Sequence, residues 1–312
     1  MTYLSFANIY QHNYNSKACQ LICRTLVLLC AAFLFSCVSS SKNTNSVVTE
    51  VNFWNGNKST VRQKYELDML NAALLASSNK YGPYHIQVSY NNYDGVEGEA
   101  NVFRVKKYDL FATPAGNPKL QNEKKRIVPV ALMKGILGYR IAIIREDMAD
   151  TFKGVDSAEQ LQALNVGIPD GWGDAKIFKA NKYGVTETGT YADIFTRLLN
   201  KEFDYFSLGA NEVESVFMSN AADLGGLIID DSLVIYYPFP VVFYVNPMRN
   251  KLAERLQYGL QVMIEEGTYD KIFAQYFGDK VASLKLKERK VFTLNNPVLH
   301  QSMQGYQSTL LR

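Results

Sequence analysis

Strand-like apolar runs alternate with amphipathic helical segments along residues 49–280, and this order limits the possible fold more than any other feature. Residues 109–113 form an apolar run that reads as a buried strand, stopped by a proline and a glycine. Leu67, Leu70 and Leu74 instead recur at the spacing of one helix face. Alternation of this kind predicts an α/β architecture in which mainly parallel sheets are flanked by helices.

The size and charge of the chain exclude several classes of protein. Its 312 residues are enough for two lobes or two domains. With 47% hydrophobic and 20% charged residues it is expected to fold rather than to remain disordered. The 33 basic and 30 acidic residues leave a net charge of only +3 without a long basic run. We therefore expect no nucleic-acid partner.

The first 37 residues have the composition of a targeting segment, predicted to be a signal peptide. All four cysteines of the chain lie there, at Cys19, Cys23, Cys30 and Cys37. Lys17 and Arg24 flank an apolar run at residues 26–35, which is too short to cross roughly 30 Å of hydrocarbon but has the length of a signal-peptide core. The mature chain is therefore expected to be exported to an oxidising compartment with at most one cysteine.

Two cleavage positions fit this segment. Residues 34–37, Leu-Phe-Ser-Cys, resemble a bacterial lipoprotein cleavage box, which implies that Cys37 becomes the lipidated first residue. The alternative is an ordinary secretory signal cut near Ser36 or Ser39. A periplasmic location is expected in both cases, with membrane contact only through a lipid anchor in the first.

Several short motifs resemble those of bacterial extracellular solute-binding proteins of family 3. They are Gly-Ile-Leu-Gly-Tyr-Arg at 135–140, Phe-Asp-Tyr-Phe at 203–206 and Gly-Thr-Tyr-Asp-Lys-Ile-Phe at 267–273. Gly-Trp-Gly-Asp at 171–174 and Leu-Ala-Glu-Arg at 252–255 add a closer similarity to an uncharacterised proteobacterial subgroup of transporter substrate-binding proteins. The resemblance implies a type II periplasmic-binding fold, in which two α/β lobes close on a ligand cleft.

The resemblance also implies a division of the chain. The expected parts are a signal peptide at 1–37, a flexible tether at 38–48, lobe one at 49–137 and 241–280, lobe two at 138–240, and a C-terminal extension at 281–312. That extension carries a basic cluster, which is expected to be a solvated face: Lys285, Lys287, Arg289 and Lys290.

Three residues are candidates for holding an anionic group of the ligand. Amino-acid binders of family 3 grip the ligand carboxylate with an arginine, whose bidentate fork suits that role. Arg126 lies at about the matching position, and Arg140 on the crossing strand is the preferred rival. The alternative for Arg126 is a solvated surface residue, and the alternative for Arg140 is a hinge ion pair. Asp174 ends a glycine-rich turn that opens a helix, where free N–H groups can hold an anion, but it can equally serve as the helix cap.

One position departs from the family pattern. The aspartate that holds the α-amino group in those binders is replaced here by Gly209, and Glu212 lies nearby without being equivalent. This departure argues against an ordinary amino acid as the ligand. Other cleft candidates, each of which can instead be a core or turn residue, are Thr113, Tyr139, Trp172, Tyr191, Tyr205 and Tyr237.

The expected function is binding rather than catalysis. No Gly-x-Ser-x-Gly, His-Glu-x-x-His or Walker motif occurs, and neither a cofactor nor a metal is expected. The preferred interpretation is a monomeric solute-binding protein that captures a small polar, anionic solute for a membrane permease. The alternative is a periplasmic sensory module that acts on a separate membrane receptor. An unrecognised hydrolase is the least favoured interpretation.

Overall fold

The computed structural model describes residues 47–93 and 95–311, which contain two β-sheets with helices packed on them. The predicted signal peptide with Cys37, and all but the last two residues of the predicted tether, lie outside the described residues. Within the described ranges no helix is both long and apolar enough to cross a membrane.

The strands and helices follow one another in the predicted alternating order. The strands are β1 (Thr49–Trp54), β2 (Tyr84–Ser89), β3 (Leu110–Pro114), β4 (Arg126–Ile127), β5 (Tyr139–Arg145), β6 (Asn165–Ile168), β7 (Gly184–Glu187), β8 (Tyr205–Gly209), β9 (Leu227–Ile229), β10 (Leu233–Tyr236), β11 (Val241–Val245) and β12 (Lys290–Thr293). The α-helices are α1 (Thr60–Ala76), α2 (Ser78–Tyr81), α3 (Gly95–Ala100), α4 (Ala149–Lys153), α5 (Ala158–Gln162), α6 (Gly173–Ala180), α7 (Ile194–Leu199), α8 (Val213–Asn220), α9 (Asn250–Glu265) and α10 (Thr268–Ser283).

The first sheet has the strand order β2-β1-β3-β11-β4. Helices α1, α9 and α10 pack on one another beside it. Leu70 and Leu74 of the predicted helix face are fully buried, and Leu67 packs at the edge of the core. A Cβ atom at Gly259 of α9 would lie 1.9 Å from the Ala73 carbonyl oxygen, so the close crossing of α1 and α9 requires glycine there.

The second sheet has the order β12-β10-β5-β8-β6-β7, and β9 pairs with the far end of β5. Both sheets are mixed rather than mainly parallel, because β5 is antiparallel to β8, β9 and β10, and β11 is antiparallel to β3 and β4. Strands β5 and β11 each enter their sheet directly from the other sheet. They therefore lack the crossover helix that usually precedes a parallel neighbour.

The chain crosses from the first sheet to the second before β5 and returns after β10, and these two crossing segments touch each other. The Tyr237 N–H donates to the Gly138 carbonyl over 3.2 Å. A Cβ atom at Gly138 would lie 2.2 Å from the Tyr237 carbonyl oxygen, so only glycine fits at this contact. The outgoing and returning segments thus form one joint between the lobes.

In the C-terminal extension Lys285, Lys287 and Lys290 are exposed, as expected of a solvated basic face, but Arg289 is not and the segment adds a strand to the second sheet. Strand β12 joins the second sheet parallel to β10. Arg289 is buried, and its guanidinium is satisfied there because it donates to the carbonyls of Asp230 at 2.6 Å and Leu284 at 2.7 Å. Residues 294–311, here named the C-terminal strap, then return to the first sheet, where Met303 is buried in a core cluster with Trp54.

Candidate ligand-binding cleft

A cleft with a volume of about 210 Å³ lies between the two sheets. Five of the predicted site residues line it: Thr113, Arg140, Trp172, Asp174 and Glu212. The lobes meet at its rim, where a Cβ atom at Gly173 would lie 3.4 Å from Cδ of Pro118. The cleft is therefore narrow and has walls from both lobes.

An arginine and a carboxylate form the floor on the second lobe, and a buried phenol lies behind them. Strand β5 places Arg140, and the first turn of α6 places Asp174, whose charge also suits the helix N-terminus. Nη2 of Arg140 lies 2.6 Å from Oδ1 of Asp174. The Tyr237 hydroxyl donates to the same oxygen over 2.5 Å. Tyr237 thus supports the cleft from behind, and the hinge ion pair considered for Arg140 is present.

In this network the Arg140 guanidinium stays charged and the Tyr237 hydroxyl stays neutral. Burial opposes the charged form of Arg140, but Asp174, Tyr237 and Glu212 together outweigh it, and the pKa of the guanidinium is raised. Burial raises the pKa of Tyr237 well above its usual value, so its hydroxyl remains a donor. Arg140 also donates to the carbonyls of Leu137 at 3.3 Å and Ser207 at 3.2 Å. Its buried Nε has no hydrogen-bond partner in the described part of the chain.

Helix α1 contributes a charge cluster that the sequence analysis missed. Glu66 is 0% exposed and accepts from Lys58 Nζ at 2.5 Å and from Arg62 Nε at 2.8 Å. Both cations line the cleft, so one carboxylate is shared by two positive charges. Burial lowers the pKa of Lys58, whereas for Arg62 the carboxylates of Glu66, Glu212 and Glu99 together outweigh burial and the pKa is raised. The only sequence clue was an Arg–Glu pair four residues apart, with the glutamate inside the apolar face.

Glu212 immediately precedes α8 and faces the cleft from the second lobe. Its carboxylate makes no hydrogen bond or salt bridge to any residue in the described ranges. Its negative charge nevertheless contributes to the raised pKa values of Arg62 and Arg140. The terminal nitrogens of Arg62 are likewise without a hydrogen-bond partner among these residues. Unused donors and an unused acceptor carboxylate therefore share one cleft.

The aromatic wall is built from Trp172. Its ring stacks on Tyr191 with a 6.0 Å centroid separation and an 18° interplanar angle, and it also packs on Phe206. Trp172 lines the cleft, whereas Tyr191 supports it from outside. Thr113 accepts from the Asn117 side chain at 2.9 Å, which fixes the adjoining loop of the first lobe.

The remaining predicted residues lie away from the cleft. Tyr139 packs on Tyr236 at a 4.6 Å centroid distance, and Tyr205 is buried in the core against Phe152. Arg126 lies on the edge strand β4 and donates to the Pro247 carbonyl at 3.4 Å, which matches the surface role considered for it.

Gly209 is fixed by packing. A Cβ atom there would lie 2.4 Å from Oδ1 of Asn211 and 2.8 Å from Cδ1 of Leu137. The aspartate expected at this place from family 3 therefore has no room. Within the described residues, no cluster of histidine, cysteine or carboxylate side chains could hold a metal ion.

No family model and no curated protein matches the chain, but solved structures do. The probable amino-acid ABC transporter extracellular-binding protein ytmK of Bacillus subtilis matches with a TM-score of 0.53 and 14% identity, over 75% of this chain and 99% of its own. A periplasmic binding protein of Salmonella typhimurium, described for high arginine specificity, gives 0.50 and 14% identity, over 74% and 100%. A histidine kinase sensor domain similar to periplasmic binding proteins gives 0.50 and 14%, over 74% and 96%.

These likenesses confirm the predicted two-lobed periplasmic-binding fold.

Proposed function

We propose that this chain is an extracytoplasmic solute-binding protein of the family 3 type, from the proteobacterial subgroup that its motifs resemble. It captures a small polar solute between its lobes and delivers it to a membrane transporter. The observation that carries this proposal is the unused pair of opposite charges in the cleft: the Glu212 carboxylate on one side and the terminal nitrogens of Arg62 on the other.

The solute in this proposal carries an anionic group. Arg62 and the free Nε of Arg140 supply donors for its oxygens, and hydrogen bonds to charged groups are worth about 1.5–3 kcal/mol each. Glu212 faces a cationic or hydrogen-bond-donating group of the same molecule. Trp172 provides an apolar face, and the volume of about 210 Å³ keeps the solute small.

Lobe closure about the two touching crossings would bring the first-lobe charges against the second-lobe floor. Export through the segment 1–37, anchoring through Cys37 and a monomeric state complete the proposal. A periplasmic protein anchored in this way would release its solute at the membrane surface, where a permease can receive it.

A panel of amino acids, organic acids, sugars and peptides, tested by thermal shift on the purified protein, examines the proposal. A solute at 100 times its dissociation constant should add about 2.7 kcal/mol of stability. Arg62→Gln should weaken the response to the same solute, whereas Lys64→Gln, an exposed change of equal charge on the same helix, should not. A folded protein that responds to nothing on the panel would contradict a role in solute capture.

The sensory role uses the same clamp, and a kinase sensor domain shares the fold. Cross-linking in membranes with the solute present distinguishes the two roles. A permease partner supports transport, whereas a receptor kinase partner in place of a permease would favour sensing.

A further inference from the structure

A second cavity, of about 340 Å³, shares Asn117 and Pro118 with the cleft as lining residues. Three segments form it: the first-lobe loop that carries Lys125, helix α6 with Lys176, and the C-terminal strap with His300. Because α6 belongs to the second lobe, this cavity is bounded by both lobes and by the strap.

The cavity is positively charged. Two lysines line it, and no acidic side chain among the described residues does. Lys125 is held by the carbonyls of Leu120 at 2.5 Å and Glu123 at 3.1 Å, and burial lowers its pKa. Lys176 makes no salt bridge within the described ranges. Two like charges in one concave site produce a field that attracts anions.

His300 adds a hydrogen-bond donor. The Ser302 N–H donates to Nδ1 of His300 over 3.1 Å, so the neutral ring carries its proton on Nε2. Burial and the nearby Lys125 lower the pKa of the ring, which keeps it neutral at pH 7. Nε2–H has no hydrogen-bond partner among the residues described and is available to an acceptor.

We propose that this cavity binds a small anion with several oxygen acceptors, of the phosphate or polycarboxylate class. Lys176 and Lys125 supply the charge and His300 Nε2 supplies a directed donor. Because its ligating groups come from both lobes and the strap, the anion would favour the closed arrangement of the lobes. This inference is independent of the solute proposed for the cleft.

Isothermal titration with inorganic phosphate and with citrate, at constant ionic strength set by chloride, tests the site. We expect saturable binding of at least one of the two. Lys176→Gln should weaken that binding roughly tenfold, which corresponds to one hydrogen bond to a charged group. Adding His300→Gln to this variant should weaken the binding further. Lys64→Gln, an exposed lysine outside both cavities, is the matched control and should leave it unchanged.

Arg62→Gln separates this site from the cleft. Arg62→Gln should leave anion binding intact. If Arg62→Gln abolishes binding while Lys176→Gln leaves it unchanged, the anion binds in the cleft and the proposal is overturned. Absence of saturable binding for both anions would also overturn it, because the wild-type protein is used and no folding defect can intervene.

Discussion

Replacing Asp174 by asparagine tests the network at the cleft floor. The substitution preserves shape but removes the negative charge beside Arg140, whose side chain is only 3% exposed. Breaking a buried ion pair by removing one partner typically costs about 3–5 kcal/mol, because the remaining charge stays desolvated without compensation. Asparagine keeps an acceptor for the Tyr237 hydroxyl, so we expect the lower part of that range, about 3 kcal/mol.

Urea unfolding of wild-type and Asp174→Asn protein at pH 7 measures this difference. Asp156→Asn is the matched control, since its partner Lys290 and Asp156 itself are 42% and 75% exposed, and it should cost no more than about 1 kcal/mol. Tyr237→Phe removes one hydrogen bond and should cost about 1 kcal/mol. It also leaves the buried Oδ1 of Asp174 without that donor, which increases the cost. A cost below 1 kcal/mol for Asp174→Asn, similar to the exposed control, would refute the reasoning.

Three further predictions concern other parts of the chain. Burial raises the pKa of Tyr244 to about 12, so its stabilising contribution is complete below the unfolded pKa of about 10 and is lost as pH rises through about 12. Urea unfolding at pH 8 and 11 should therefore show wild type losing about 1.4 kcal/mol relative to Tyr244→Phe, and parallel curves would contradict this. Gly116→Ala should detach the strap, because Gly116 has a φ of 97° and a Cβ atom there would lie 1.7 Å from the Val298 carbonyl oxygen; faster proteolysis of the strap is the expected readout, and unchanged resistance the contrary one. Cys37→Ser should release the protein from membranes, and continued attachment would exclude a lipid anchor on that residue.

Local patterns were enough to predict the α/β architecture and several cleft residues. Helical spacing identified the buried face of α1, and the turn before α6 placed Asp174 correctly next to a helix N-terminus. Arg140 was identified through the resemblance to family 3, which implied both an arginine that grips the ligand and a strand that crosses between the lobes at residues 139–144. Each of these features depends on residues close together in the sequence.

Other features depend on which segments meet in space, and these were missed. Strand direction in the sheets follows from where the chain crosses between the lobes, so the antiparallel pairs of β5 and β11 have no signature in periodicity. Arg62 and Glu66 resemble a surface ion pair until the rest of the first lobe buries them. The polar tail gave no sign that β12 extends the second sheet.

The dissociation constant of a solute found by the panel, measured by titration on wild-type and Glu212→Gln protein, tests the central claim most directly. The claim is that the cleft between the lobes binds the solute through its unused charges. We predict at least roughly tenfold weaker binding in Glu212→Gln, because a charge-assisted hydrogen bond is lost. An unchanged or smaller dissociation constant would show that the solute binds elsewhere or without this carboxylate.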